Sequence, residues 1–109
     1  MKRVLFIDRM KPDDTDNVAE IWAAHDKTGL PQEIGVVGRT LFSFRGLYVH
    51  LVEGHADLPG DLTERIYAAR TNPLFIETRD SLARYLTPYS GALTNLKDTK
   101  AEEFYRWQA

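Results

Sequence analysis

The 109-residue sequence contains no cysteine, no long hydrophobic run and no stripe of basic residues. Without cysteine, the chain has no disulfide bond, no thiolate nucleophile and no cysteine-based zinc site. The first apolar run ends at Asp8, which is too short for a signal peptide or a membrane span, so we expect a cytoplasmic protein. A net charge of −2 without a basic patch argues against a nucleic acid as partner.

The remaining composition is that of an ordinary globular domain. Hydrophobic residues make up 43% of the chain and charged residues 28%, which excludes intrinsic disorder. A chain of this length fits a single domain, residues 1–109, and buries roughly two-thirds of the surface that its unfolded form exposes. We therefore expect one real core.

The first half of the sequence predicts a strand, a helix and a hairpin. Residues 3–9 form a short apolar run rich in β-favouring side chains. Asp13 and Asp14 are N-cap candidates for a helix that ends at Gly29-Leu30-Pro31. The apolar face of that helix is formed by Val18, Ile21, Trp22 and His25. Residues 34–44 and 47–53 then predict two strands joined by a tight turn at Arg45-Gly46.

The second half predicts a helix in two parts and a final strand. A helical stretch covers residues 62–70, and Asn72-Pro73 looks like the cap and first position of the next helix. That helix is expected to direct Leu74, Phe75, Leu82 and Leu86 inward. A loop then leads to a last strand at residues 103–107. The order β-α-β-β-α-β predicts a ferredoxin-like α+β fold, an antiparallel sheet with helices on one face.

The turn of the hairpin determines which side chains share a face. If Arg45-Gly46 is a two-residue turn, Phe44 pairs with Leu47, and Arg39 becomes a diagonal neighbour of His50. One face then carries Arg39, Ser43, Tyr48 and His50, and the other carries Val36, Phe42, Phe44, Leu47, Val49 and Leu51. We expect the mixed face to meet the helices around a pocket and the apolar face to pair with a second sheet. A three-residue loop would separate Arg39 from His50.

Each candidate site residue also has a purely structural interpretation. His50 could be a hydrogen-bonded structural histidine, and Arg39 could pair with a carboxylate such as Asp8. His25 lies near a helix C-terminus, where its charged form favours the helix dipole. Asp26 is either a functional carboxylate or an exposed one.

The side chains of Tyr48, Tyr67 and Arg70 either line the pocket or belong to the core and the solvated surface. The aromatic residues 104–107 favour core or interface. The three histidines, at positions 25, 50 and 55, have no spacing typical of a metal site, and no metal is expected.

Eight stretches, taken in their order and spacing, connect this chain with a known family. They are Ala24-His25-Asp26, Leu30-Pro31, Ile34-Gly35-Val36, Arg39-Thr40-Leu41-Phe42, Leu47-Tyr48-Val49-His50-Leu51, Asn72-Pro73-Leu74-Phe75, Pro88-Tyr89 and Phe104-Tyr105-Arg106-Trp107. Over nearly its whole length the chain resembles the tetracenomycin-type aromatic polyketide cyclases of bacterial type II polyketide pathways. The resemblance implies a ferredoxin-like homodimer joined sheet to sheet, with a pocket in each subunit and no cofactor.

The resemblance also implies a reaction, the regioselective aldol closure and dehydration of a partly cyclised polyketide, free or bound to a carrier protein. The polar pocket residues of the family fall on His25, Asp26, Arg39 and His50. We assign His50 as general base and Arg39 as oxyanion clamp, with His25 or Asp26 as proton relay. Substrate contacts are expected from Tyr48, Ser43, Trp22, Tyr67 and Arg70. Two alternatives remain, a cofactor-independent anthrone-type monooxygenase and a non-catalytic module that guides cyclisation.

Overall fold

Eight regular elements make up the computed structural model, which describes residues 1–91 and 95–109. The predicted loop beyond Gly91 includes residues 92–94, which lie outside the described residues. In chain order the elements are β1 (Lys2–Met10), α1 (Thr15–Asp26), α2 (Leu30–Ile34), β2 (Val36–Phe44), β3 (Leu47–Gly54), α3 (Leu62–Ala68), α4 (Pro73–Leu82) and β4 (Leu86–Thr87). Short 3-10 turns lie at Pro12–Asp14, Ala69–Thr71 and Leu96–Thr99.

The four strands form one antiparallel sheet in the order β2-β3-β1-β4. Two buried clusters join the inner face of the sheet to the helices. The first surrounds Phe6 and Val52 and includes Leu62 and Ile66 of α3, and the second surrounds Tyr48 and includes residues of α1 and α4. This is the predicted ferredoxin-like α+β arrangement, which is therefore confirmed. No helix in the described part of the chain is long and apolar enough to cross a membrane.

The hairpin has the predicted two-residue turn. Arg45 has a φ of 48° and Gly46 a φ of 81°, the left-handed pair that joins two twisted strands tightly. Across the strands Phe44 faces Leu47, and Arg39 faces Val52. The predicted register and the grouping of Arg39 with His50 are confirmed.

One residue of the hairpin lies on the face opposite to that predicted. The register shifts between Val36 and Gly38, so Val37 is an extra residue in β2 and forms a β-bulge. The bulge reverses the alternation, and Val36 is buried in the inner cluster with Val52 instead of lying on the outer face. Strict alternation along the strand could not predict this insertion.

The first helical region differs from the prediction at both ends. Asp14 occupies the N-cap position of α1, yet its side chain makes no capping hydrogen bond, because a 3-10 turn at Pro12–Asp14 already leads into the helix. Gly29 ends the region with a φ of 85°. Leu30-Pro31 then begins α2 instead of a loop, because proline is well tolerated in the first helical turn.

The capped helix α4 is shorter than predicted. The Asn72 side chain accepts a hydrogen bond from the backbone N–H of Leu74, as expected of a cap. The helix ends at Leu82, so Leu86 lies in β4 and not in the helix. Leu82 is buried, whereas Leu74 lies in the first turn and is exposed. The inward direction predicted for Leu74 is therefore wrong.

The last strand is not the one predicted. Residues 101–109 have no regular secondary structure, and Leu86–Thr87 instead pairs with Arg9–Met10 as the fourth strand. A single bridge between Phe6 and Lys100 continues along the same edge. The β-propensity of the terminal aromatics reflects packing on a half-buried surface, which they lack here. Of the two positions predicted for this cluster, the core is wrong for Phe104, Tyr105 and Trp107, and an interface stays a prediction.

Candidate active site

A cavity of about 250 Å³ lies between the inner face of the sheet and the helices. Its lining is mostly apolar, with Phe6, Val52, Ile66 and Phe75 among the side chains that line it. Polar atoms enter this space at few points, which makes each one chemically significant. The titratable or charged side chains that line it are Asp8, His25, Arg39, Tyr48, His50 and Arg79.

The Arg39 side chain is held on three sides. Its Nε is 3.0 and 3.1 Å from the two carboxylate oxygens of Asp26, and its Nη2 is 2.9 Å from Oδ1 of the same residue. Its guanidinium carbon lies 3.9 Å from the centre of the Trp22 ring. The third contact is 2.8 Å long and joins Nη1 to Nε2 of His50. These contacts hold the plane and position of the guanidinium.

The His50 ring is buried among aromatic rings. Trp22 is the nearest, with ring centres 4.8 Å apart, and Phe6 and Tyr48 lie at 5.8 Å. A guanidinium only donates hydrogen bonds, so Arg39 donates to Nε2 of His50, and the neutral ring carries its proton on Nδ1. Burial, followed by the charge of Arg39, lowers the pKa of His50 to about 3. The ring is therefore neutral near pH 7, with its lone pair engaged.

The His25 ring has the same tautomer for a different reason. Its Nδ1 lies 2.8 Å from Oγ1 of Thr78, and that hydroxyl donates to the backbone carbonyl of Leu74 at 3.1 Å. The hydroxyl proton is thus used, so Nδ1 of His25 must donate and its Nε2 keeps a lone pair. Burial lowers the pKa of His25, with Arg39 adding to the effect. His25 is a neutral proton acceptor beside the Arg39 cluster.

Tyr48 and Trp22 line the cavity and are joined by a hydrogen bond. The indole N–H of Trp22 donates to the Tyr48 hydroxyl at 2.9 Å. Tyr48 is almost fully buried, and burial raises its pKa well above the usual range. The phenol therefore stays neutral and serves as a hydrogen-bonding group. Trp22 contacts both residues, because its N–H donates to Tyr48 and its ring stacks against the Arg39 guanidinium.

Asp8 is a cavity residue to which the sequence analysis gave no catalytic role. It lies on β1 opposite Tyr48, between the buried side chains of Phe6 and Met10. Burial raises the pKa of Asp8 from 3.8 to about 6. The signal was present in the sequence, because strand alternation from Phe6 directs position 8 to the inner face. A carboxylate there interrupts an otherwise apolar stripe.

Five of the nine predicted site residues line the cavity: His25, Arg39, His50, Tyr48 and Trp22. Asp26 is not among the lining residues. It contacts the site through Arg39, and its side chain is 41% exposed. Arg39 pairs with this carboxylate and not with Asp8, so the alternative partner considered for Arg39 is wrong.

The other three predicted residues do not line the cavity. Ser43 shares the inner face but lies next to the turn, where it is exposed beyond the helices. Tyr67 stacks beneath Arg70, whose guanidinium carbon is 4.0 Å from the ring centre, and beneath Lys97 at 4.4 Å. Those contacts belong to the surface. In the described part of the chain, no group of three or more His, Asp or Glu side chains could hold a metal ion.

Comparison with known proteins finds relatives that match nearly the whole chain. A family model described as polyketide synthesis cyclase matches residues 2–108. The tetracenomycin F2 cyclase of Streptomyces glaucescens is 50% identical over 107 residues, which cover 98% of this chain and 94% of that protein. The solved structure of that type-II polyketide cyclase superposes with a TM-score of 0.91 at 48% identity, covering 100% of this chain and 99% of the other.

A more distant structural neighbour shares the fold alone. The crystal structure of an antibiotic biosynthesis monooxygenase superposes with a TM-score of 0.53 at 18% identity, covering 79% of this chain and 86% of that one. At that identity the likeness carries no information about activity, since one scaffold hosts many chemistries. The family model that matches residues 2–108 and the relative that is 50% identical both support the same assignment. The chain belongs to the polyketide synthesis cyclase family.

Proposed function

We propose that this chain is an aromatic polyketide cyclase that closes a ring by aldol addition and then removes water, working without a cofactor as a cytoplasmic homodimer. The observation that supports it best is the Arg39 guanidinium, oriented by Asp26, Trp22 and His50 inside an apolar cavity. A relative with half of its residues identical is a tetracenomycin F2 cyclase. The cavity and the kinship point to the same reaction class.

Arg39 suits the step in which charge develops on oxygen. When a carbon nucleophile adds to a carbonyl group, the carbonyl oxygen becomes negative, and a preoriented cation in an apolar site stabilises it. The Arg39 side chain is only 10% exposed, so water screens its charge little. Its ion pair with Asp26 fixes its plane without filling the cavity. We therefore assign Arg39 to the developing oxyanion.

The two histidines have different roles in this proposal. His50 accepts a hydrogen bond from Arg39, and its pKa of about 3 makes it a weak base. We accordingly revise its assignment from base to partner of Arg39, where its Nδ1 proton remains available to an oxygen. His25 keeps a lone pair on Nε2 and lies beside the same cluster, which suits the predicted relay role. Asp26 then positions Arg39 and takes no part in proton transfer.

Replacing the two central residues tests this function. With tetracenomycin F2 as the probe substrate, we expect Arg39→Lys and His50→Gln to lower kcat by roughly 10²–10³, the usual cost of losing an oxyanion contact. Arg70→Lys is the matched control, since that arginine also stacks on an aromatic ring but lies outside the cavity. Product mass and absorbance, measured under anaerobic conditions, report ring closure independently of oxygen.

The outcome of that experiment separates the three functions considered. Full turnover by both variants would contradict a catalytic cluster and leave a ligand-guiding module. A strict need for oxygen, with a quinone product, would contradict the cyclase in favour of the monooxygenase. Closure without oxygen, lost in the two variants and kept in Arg70→Lys, supports the proposal.

The outer face of the sheet supports the homodimer. Two rows of apolar side chains cross it, Leu5-Leu51 and Ile7-Val49-Phe42, with Leu47 and Phe44 beside them. Phe42 is 51% exposed and Phe44 is 60% exposed. An antiparallel sheet usually presents polar residues on a face that water covers. A second copy of the same face would bury these rings.

Charged substitutions on this face test the association. We expect Phe42→Lys with Phe44→Lys to convert a dimer to a monomer in light scattering, because burying two unpaired cations is costly. Leu74→Lys, at an exposed apolar residue of α4 on the opposite side of the sheet, is the control and should leave the mass unchanged. A wild-type chain that is monomeric at micromolar concentration would contradict this part of the proposal.

A further inference from the structure

The cavity contains one carboxyl group that the cluster around Arg39 does not use. Asp8 lines the cavity from β1, and Tyr48 lies opposite it on β3. His50 is its diagonal neighbour across the same pair of strands, at a typical backbone separation of roughly 7–8 Å. Asp8 therefore lies on the far side of His50 from Arg39, and one substrate molecule could contact both.

The other proton acceptors of the cavity either accept hydrogen bonds already or lie on the side of Arg39. The lone pair of His50 accepts a hydrogen bond from Arg39, and the Tyr48 hydroxyl accepts one from Trp22. His25 lies on the same side as Arg39, where the carbonyl oxygen is held. Among residues 1–91 and 95–109, neither a hydrogen bond nor an ion pair engages the Asp8 carboxyl. Its oxygens are free to take a proton from a bound molecule.

We propose that Asp8 is the catalytic base that removes the carbon-bound proton during ring closure, and that it acts again on the same carbon during the loss of water. This inference rests on the cyclase function proposed above. In this proposal, different residues act on the two reacting groups of the substrate. Asp8 acts at the nucleophilic carbon, and Arg39 with His50 acts at the attacked carbonyl group.

The first step balances as follows. The Asp8 carboxylate takes a proton from a methylene flanked by carbonyl groups, and the electron pair of that C–H bond forms the new C–C bond. The π pair of the attacked carbonyl moves to its oxygen beside Arg39, and that oxygen takes a proton that Nε2 of His25 first accepts from solvent. Asp8 then releases its proton to solvent, so no net charge accumulates.

The second step removes water. Asp8 takes the remaining proton from the same carbon, the C–H pair forms a C=C bond, and the C–O bond breaks towards the oxygen. The departing oxygen takes a second proton, which Nε2 of His25 again accepts from solvent, and leaves as water, and Asp8 then releases its proton to solvent. The residues lose and gain equal numbers of protons, and neither an oxidant nor a metal takes part.

The protonation of Asp8 depends on its surroundings in the cavity. Burial raises the pKa of Asp8 to about 6, so the carboxylate form prevails at pH 7 and is a stronger base than His50. The titratable and charged groups lining the same space are Tyr48 and His50 on β3, Arg39 on β2, His25 on α1 and Arg79 on α4. Burial lowers the pKa values of both histidine rings, that of His50 to about 3, and the Asp8→Asn variant distinguishes the titration of Asp8 from that of His25.

The pH dependence of kcat/KM, measured with tetracenomycin F2, tests the assignment. For the wild type we expect kcat/KM to rise tenfold per pH unit up to about 6 and then level off. Asp8→Asn should lower the plateau by roughly 10²–10⁴, the usual contribution of a general base, and remove the limb near pH 6. Asp8→Glu should restore part of the rate. Arg39→Lys should lower kcat and keep the limb.

A substrate-independent measurement accompanies the kinetics. In protein with ¹³C-labelled aspartate, one carboxyl resonance should titrate near pH 6 and be missing from Asp8→Asn. Asp13→Asn, at an exposed carboxyl, is the control for both measurements. If Asp8→Asn has wild-type kinetics and pH profile, the role of Asp8 is overturned and the cyclase function stands. If the wild type does not convert the probe, both fail together.

Discussion

The desolvated carboxyl of Asp8 should contribute less to the stability of the folded chain above pH 6 than below pH 4. Its pKa is raised from 3.8 to about 6 by burial, so the folded state holds this proton more tightly than the unfolded state does. The resulting stabilisation is complete below pH 3.8 and is lost as the pH rises through 6. Asp8→Asn removes the titration while keeping the shape of the side chain.

The size of the effect follows from the shift. One pH unit corresponds to about 1.4 kcal/mol, so the rise from 3.8 to about 6 gives an upper bound of about 3 kcal/mol. Asp8 lines an open cavity and is only partly buried, so water relieves part of this cost. We expect Asp8→Asn to gain about 1–2 kcal/mol over the wild type between pH 4 and pH 8. For a domain of this size that corresponds to a relative increase in Tm of roughly 5–15 °C.

Urea unfolding of the two proteins across this pH range measures the difference directly. Comparing the variant with the wild type at each pH cancels the contributions of His25 and His50, which both proteins share. Protein concentration is held constant, because self-association would otherwise change the apparent stability. A difference in unfolding free energy that is the same at pH 4 and pH 8 would refute the reasoning, since it would mean that Asp8 titrates normally.

Two further substitutions test the supports of the site. Gly46→Ala should lower the free energy of unfolding in urea by about 1–2 kcal/mol, because Gly46 has a φ of 81°. Gly91→Ala is the control and should be nearly neutral. Equal effects of the two substitutions would contradict the turn geometry. Trp22→Phe removes the donor to the buried Tyr48 hydroxyl and should cost about 1–3 kcal/mol together with a loss of kcat. Trp107→Phe, at an exposed indole, should change neither the free energy of unfolding nor kcat. A wild-type kcat in Trp22→Phe would contradict the role of Trp22 in positioning Arg39.

The hairpin shows how far local sequence rules reach. A two-residue turn at Arg45-Gly46 and strict strand alternation are sufficient to bring Arg39 and His50 to one face, and both features are local. The same alternation fails at Val36, because the bulge at Val37 depends on the wider packing of the sheet. Strand alternation predicts the face of each side chain only as far as the inserted residue, and no simple sequence pattern predicts the bulge.

The edge of the sheet shows where local rules fail. The aromatic residues 104–107 have the stronger β-propensity, yet Leu86–Thr87 occupies the edge of β1 at Arg9–Met10. Which of two segments pairs with an edge depends on the end of α4 and on the length of the connecting chain. Those are properties of the assembled fold. Two-residue strands have no periodicity that a sequence could reveal.

The site itself combines predictable and unpredictable parts. Strand alternation from Phe6 would have placed Asp8 on the inner face, so its position was accessible from the sequence. The hydrogen bond from His25 to Thr78 joins residues 53 positions apart and depends on how α1 packs against α4. That contact determines the tautomer of His25, so the assignment of proton-transfer roles required the folded structure.

One physical cause connects the groups of this cavity. Burial disfavours the charged form of every side chain, so it lowers the pKa values of His25 and His50 and raises that of Asp8. The Arg39 guanidinium is paired with Asp26, which lies outside the cavity lining and is partly exposed. The cavity thus contains Arg39, an oriented cation for an oxygen, and Asp8, a carboxyl group with a pKa of about 6 for a carbon. If the Asp26→Asn substitution frees Arg39 to move towards Asp8, the positive charge of Arg39 lowers the pKa of Asp8. The limb of the pH profile near 6 should then move to lower pH in that variant.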